Sequence, residues 1–202
     1  MIVLLLACVP EPPASFGDPA QLQPLEADNL APEADLDGPL TLASGERDGI
    51  YWAHAKARLS DPPVEVWRAL RTLDVVADRR GVDEYSWTDN VRPEFDFSFD
   101  MLNVVRNPIR VEYTLTWVHE LHSGEIDAPE RVVVRWDKTD GTPFIQQLGG
   151  SILLEADGAG TSLEFQEVLE AAQRDEQTLE TFLADVLDDV VSTLDGAPLT
   201  EH

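Results

Sequence analysis

Between Asp175 and Leu194 the chain repeats Leu179, Phe182, Leu183, Val186, Leu187, Val190 and Leu194 at steps of three and four residues. That is the period of one helix face, and it predicts a long amphipathic helix at the end of the folded part. Glu176, Glu180, Asp185, Asp188 and Asp189 fall on the opposite face, where water can solvate them. An apolar stripe of this length needs a broad apolar surface beneath it. The residues ahead of it read as strands, so the expected partner is a sheet that curves around the helix.

The first strand is expected over Ile50–Leu59, where Tyr51, Ala53, Ala55, Ala57 and Leu59 alternate with Trp52, His54, Lys56 and Arg58. Ser60-Asp61-Pro62-Pro63 then opens a helix, an N-cap candidate followed by proline in the first turn. Val64, Trp67 and Leu70 form its apolar face, and Trp67 is expected in the core. A second short helix is expected from Leu73 to Arg80, stopped by Gly81. Tyr85 and Trp87 share one face of a short strand, and Phe95, Phe97, Phe99 and Met101 alternate in the next. After a turn at Asn107-Pro108, Ile109, Val111, Tyr113, Leu115, Trp117, His119 and Leu121 line one face of the longest strand. Arg131–Asp137, closed by a hairpin signal at Asp140-Gly141, then Phe144–Ala156 and Ser162–Glu170 complete an antiparallel run. The fold class is therefore α+β, with two short helices after the first strand and a long C-terminal helix. The folded domain is expected over residues 47–196, with 197–202 as a tail.

Charge narrows the partners. The chain has 39 acidic residues against 14 basic ones, a formal net charge of −25. Such a field repels phosphate backbones and anionic membrane surfaces, so nucleic acid is not expected as a partner. Cys8 is the single cysteine, which excludes an internal disulfide and a multi-cysteine metal site. It follows the apolar run Ile2–Ala7, and Leu5-Leu6-Ala7-Cys8 resembles the lipobox of bacterial lipoproteins. No Lys or Arg precedes that run, and it is shorter than an ordinary signal h-region. The resemblance implies lipidation at Cys8 and a place at the periplasmic face of the cell envelope; the alternative is a cytoplasmic protein with an apolar N-terminus. Residues 9–46 contain Pro10, Pro12, Pro13, Pro19, Pro24, Pro32 and Pro39, many acids and no basic residue. They read as an extended, disordered linker between the 1–8 segment and the domain.

Asp61-Pro62-Pro63-Val64-Glu65-Val66-Trp67-Arg68-Ala69-Leu70 resembles the strand-to-helix signature of the START-related superfamily (SRPBCC, polyketide cyclase/lipid-transport type). Gly149-Gly150-Ser151 through Phe165, followed by the Leu179–Leu194 stripe, is similar to the end of that domain. The resemblance implies a helix-grip fold, a cavity between sheet and terminal helix, and a lipid or other small apolar ligand. It implies no common catalytic residue, and no cofactor is expected.

No phosphate loop, His-Glu-x-x-His or Gly-x-Ser-x-Gly occurs, so the strong enzyme motifs are absent. Two polar residues interrupt apolar rows. His119, between Trp117 and Leu121, suits a general base or a hydrogen-bonded core histidine. Glu167, in the row Leu163, Phe165, Glu167, Leu169, either faces the cavity with a raised pKa or leaves the core and is solvated. Trp87, Phe97, Phe99, Tyr113, Trp117, His119 and Trp136, with Phe182 and Val186 of the helix, are the expected ligand-binding wall. No third ligand joins the histidines, so no metal site is expected. The expected function is carriage of a small apolar ligand by a monomer tethered to a membrane only through its lipid anchor. The alternatives are a cyclase or hydrolase using His119 and Glu167, and a non-catalytic protein-interaction module with a filled core.

Overall fold

The computed structural model describes residues 16–26, 30–106, 109–158, 160–171 and 175–200. Eight antiparallel strands form one sheet: β1 (Thr41–Arg47), β2 (Ile50–Leu59), β3 (Glu84–Asp89), β4 (Phe97–Val105), β5 (Val111–Glu125), β6 (Ala128–Gly141), β7 (Ile145–Asp157) and β8 (Gly160–Ala171). Their order in space is β1-β2-β8-β7-β6-β5-β4-β3. Helices α1 (Pro63–Leu70) and α2 (Leu73–Val76) follow β2, and α3 (Glu176–Leu194) closes the concave side. This is the helix-grip arrangement that the alternation and the terminal stripe predict. Register irregularities at Thr114/Leu115 and around Ser123 bend β5 against β6, and bulges of this kind increase strand twist.

Leu179, Phe182, Leu183, Val186, Leu187 and Val190 are all buried against the sheet and the short helices. Asp189 is not on the solvated face: it is 1% exposed and ion-paired to Arg79. The cause lies in the chain after α2. The second helix stops at Val76 rather than Arg80, because Val75, Val76 and Ala77 are all drawn into the core and Ala77 is extended. The freed residues turn back over α3, placing Arg79 on Asp189 and Arg80 on Asp185. Thr200 joins this latch, its carbonyl accepting from Arg79 and its N–H donating to Asp189, so residues 197–200 are not a loose tail. At α1 the N-cap is Pro62, which offers no side-chain acceptor; neither Ser60 nor Asp61 caps the helix.

The N-terminal boundary also differs from expectation. Thr41–Arg47 pairs along its whole length with β2, and Ser44 Oγ donates to Glu180 of α3. Ahead of it, Leu22 and Phe16 pack on Phe95, Val118, Val133 and Leu153 on the convex face of the sheet. Leu25 N–H donates to Ser151 Oγ at 2.9 Å, Ala31 N–H to His54 Nδ1 at 3.2 Å, and Arg135 to the Gln23 carbonyl at 3.1 Å. The described part of residues 9–46 is thus a strap held by tertiary contacts. Ahead of β1 it shows no hydrophobic period because its only regular element there among the described residues is the short turn of helix Pro19–Gln21. Residues 1–15, with Cys8, lie outside the described residues.

Across the concave face the strand registers align Glu167 (β8), Gly150 (β7), Trp136 (β6), Trp117 (β5) and Phe99 (β4) in one row. Phe99 stacks on Trp117 with centroids 5.7 Å apart, and Trp117 on Trp136 at 4.4 Å. The Trp136 ring extends over Gly150, where any Cβ would collide with the indole and approach the Gln166 carbonyl. Gly150→Ala should therefore lower stability by roughly 2–3 kcal/mol through overpacking, read as a lower urea midpoint at unchanged m-value.

Candidate functional site

A cavity of about 50 Å³ lies between the sheet and the N-terminal half of α3. Its apolar walls include Met101, Leu115, Ile145, Leu148, Leu169, Leu179 and Phe182. Its polar lining comes from Asp78, Asn103, Tyr113, Glu167 and Thr178. The volume holds a water or two, against the several hundred Å³ that enclose an organic ligand. Much of the remaining interior is filled by the aromatic row, against which Phe182 packs edge-on to Trp136 at 6.2 Å.

Of the nine expected wall residues, Tyr113 and Phe182 line this cavity. Phe99, Trp117 and Trp136 are fully buried in the stack, and Val186 is buried beside them in the core. Phe97 is half-buried and meets His119 edge-on at 5.1 Å. Trp87 does not reach the cavity. It is 46% exposed because β3 is the outer strand of the sheet, and it stacks on Tyr85 instead. Larger hollows lie outside the interior; one, about 390 Å³, is an open groove on the convex side beneath the strap, bordered by Leu25, Leu30, Trp52, His54 and Val168.

His119 is completely buried, and Trp67 Nε1–H donates to its Nδ1 at 3.2 Å. That bond fixes the ring proton on Nε2, which meets no hydrogen-bond partner. Burial holds the imidazole neutral, lowering its pKa to about 3, with a smaller contribution from the positive charge of Arg71. Arg71 itself lies over the Trp67 ring at 4.5 Å. His119 is therefore the hydrogen-bonded core residue, away from the cavity.

Glu167 behaves differently. It is 4% exposed, lines the cavity, and its Oε2 has no hydrogen-bond partner. Burial raises its pKa well above the usual carboxylate range, and the negative charge of Asp78 raises it further. Trp136 lies near enough to favour the charged form weakly, yet its Nε1–H closes no hydrogen bond. Glu167 and His119 stand in neighbouring rows three strands apart, about 14 Å at ~4.8 Å per strand. The two do not converge on one reacting atom. Asn103 and Asp78 complete the polar lining and were not among the expected site residues. Asn103 was discoverable as the polar residue in phase with Phe97, Phe99 and Met101, whereas Asp78 follows the end of α2 and carries no local signal.

Among the described residues no three His, Cys, Asp or Glu side chains group as metal ligands, and no helix is long and apolar enough to cross a membrane. The chain matches no protein-family profile and no curated protein sequence. Solved structures do share its fold. The STAR-related lipid transfer protein of Xanthomonas axonopodis superposes with a TM-score of 0.54 at 16% identity, over 77% of this chain and 93% of that one. The human StarD13 (DLC2) lipid transfer and protein localization domain gives 0.52 at 9% identity, over 80% and 85%. The chain shares the helix-grip fold of these two structures.

Two outcomes follow from this geometry. Arg79→Ala leaves the Asp189 carboxylate buried without its main partner and should destabilise by about 3 kcal/mol in urea unfolding. His119 takes up a proton in the unfolded chain below pH 6.5 but stays neutral in the fold down to about pH 3. Stability should therefore fall as pH drops through that window. His119→Gln should flatten the slope by up to one proton, about 1.4 kcal/mol per pH unit, in denaturation measured from pH 6.5 to 4.

Proposed function

We propose that this protein binds a small apolar ligand between the sheet and α3, in an expanded form of the cavity beneath Leu179 and Phe182. The observation that carries the reading is the void itself. It lies under the N-terminal half of a helix whose apolar stripe is otherwise packed, and its walls are mostly aliphatic. Ligand entry requires Phe182 and the first turns of α3 to move outward, since the cavity is smaller than any lipid chain. The latch residues Arg79 and Arg80 grip α3 farther along, at Asp189 and Asp185, so opening of the first turns has to break the Ser44–Glu180 hydrogen bond but leaves the latch in place. Helix-grip architecture supports the same reading by analogy.

The Leu5-Leu6-Ala7-Cys8 motif supports a carrier held at a bacterial membrane by a lipidated cysteine. Under that reading Cys8→Ser moves the protein from the membrane fraction to the soluble fraction. The ligand site is tested with Nile red. Phe182→Ala enlarges the cavity and should tighten binding about tenfold, a 1.4 kcal/mol gain, whereas Leu148→Trp should abolish it. A dye affinity unaffected by both changes would remove the interior as the site.

A further inference from the structure

The polar lining of the cavity is one-sided in its chemistry. Glu167 presents an unpartnered carboxyl oxygen, and Asp78 supplies a second carboxylate whose Oδ1 already accepts from the Gly81 N–H at 2.8 Å. Asn103 donates one of its two amide N–H groups to the Met101 carbonyl at 3.2 Å and carries no charge. Among the described residues no Lys, Arg or His side chain lines the void. A ligand entering here meets two acids within aliphatic walls, so an anionic head would be repelled and a cationic donor attracted.

We propose that the ligand is an apolar molecule carrying a protonated amine, whose ammonium pairs with Glu167 Oε2 and with Asp78. This rests on reading the cavity as a ligand site and adds the chemistry of the head group. An unpartnered carboxyl buried to this degree is costly in a folded protein unless something satisfies it. An ammonium brings three donors and a positive charge, matching both carboxylates at once. The net charge of −25 raises the local concentration of cations as well, favouring encounter.

The pairing has a protonic signature. Glu167 is held toward its protonated form by burial and by Asp78. Admitting an ammonium reverses that preference, so the Glu167 proton leaves to solvent while the ammonium keeps its own protons. Among the described residues Asp78 and Tyr113 are the other titratable side chains on the cavity wall. Amine affinity should therefore rise with pH up to the Glu167 pKa, while a neutral alcohol shows no such trend.

The test compares decylamine, decanol and decanoate on the full chain by calorimetry, in two buffers of different ionisation enthalpy. The amine should bind about tenfold tighter than the alcohol and at least about a hundredfold tighter than the carboxylate, with proton release for the amine alone. Glu167→Gln should keep decanol binding, which shows that the fold survives, and should erase both the amine preference and the proton release. Asp78→Asn should weaken the amine preference in part. Equal binding of the three heads, or an amine preference retained in Glu167→Gln, overturns the head-group assignment alone. Failure of all three to bind overturns the ligand site together with it.

Discussion

The indole of Trp136 lies where a side chain on Gly150 would have to be, and the interior follows from that exchange. With no Cβ on β7, the ring can lie across the strand and stack on Trp117, which stacks in turn on Phe99. On the β8 side the row reaches Glu167, next to Gly150 in register, and passes on to the small side chain of Ala53 in β2. One missing side chain thus lets three aromatic rings pack as a slab and leaves a carboxyl at its end. Offset aromatic stacking contributes beyond burial alone, so the slab is a rigid floor for α3.

That floor separates two polar residues that look alike in sequence. His119 is enclosed by Phe97, Phe99 and Trp67, and its single hydrogen bond ties it to α1. Glu167 sits beyond the slab, where α3 begins and packing is incomplete. Both are stripped of water and shifted toward their neutral forms, yet only one has space in front of it. Desolvation makes a group unusual; access decides whether the chemistry can be used. Arg79–Asp189 and Arg80–Asp185 hold the middle and C-terminal part of α3, whereas its first turns are tied to β1 through Ser44–Glu180.

The concave rows were legible because a two-residue period on long strands leaves one assignment of faces. Ile50–Leu59 is β2 to the residue, and the α3 stripe is buried as its spacing requires. Trp87 was misread because alternation says which face a residue takes, and not whether anything covers that face at the edge of a sheet. Asp189 was misread for the converse reason. A carboxylate on the helix flank becomes buried when a guanidinium comes to it from a distant loop, and no local pattern records that encounter. The strap over residues 16–26 and 30–40 escaped because proline and acid content describe a chain without regular structure, which can still dock on another surface. Phe16 and Leu22 do so on the convex face.

Within the candidate site the division is sharper. Sequence alone determined that a long amphipathic helix must lie on a curved antiparallel sheet, and that Glu167 stood in phase with its apolar row. Both depend on the periodic alternation of side chains along a regular backbone. Tertiary structure decided that the row stays buried at Glu167, that Asp78 faces the same void, and that the aromatics fill the interior rather than line it. Those outcomes depend on which strands become neighbours and on how closely α3 settles, and they are set by contacts between residues far apart in the chain.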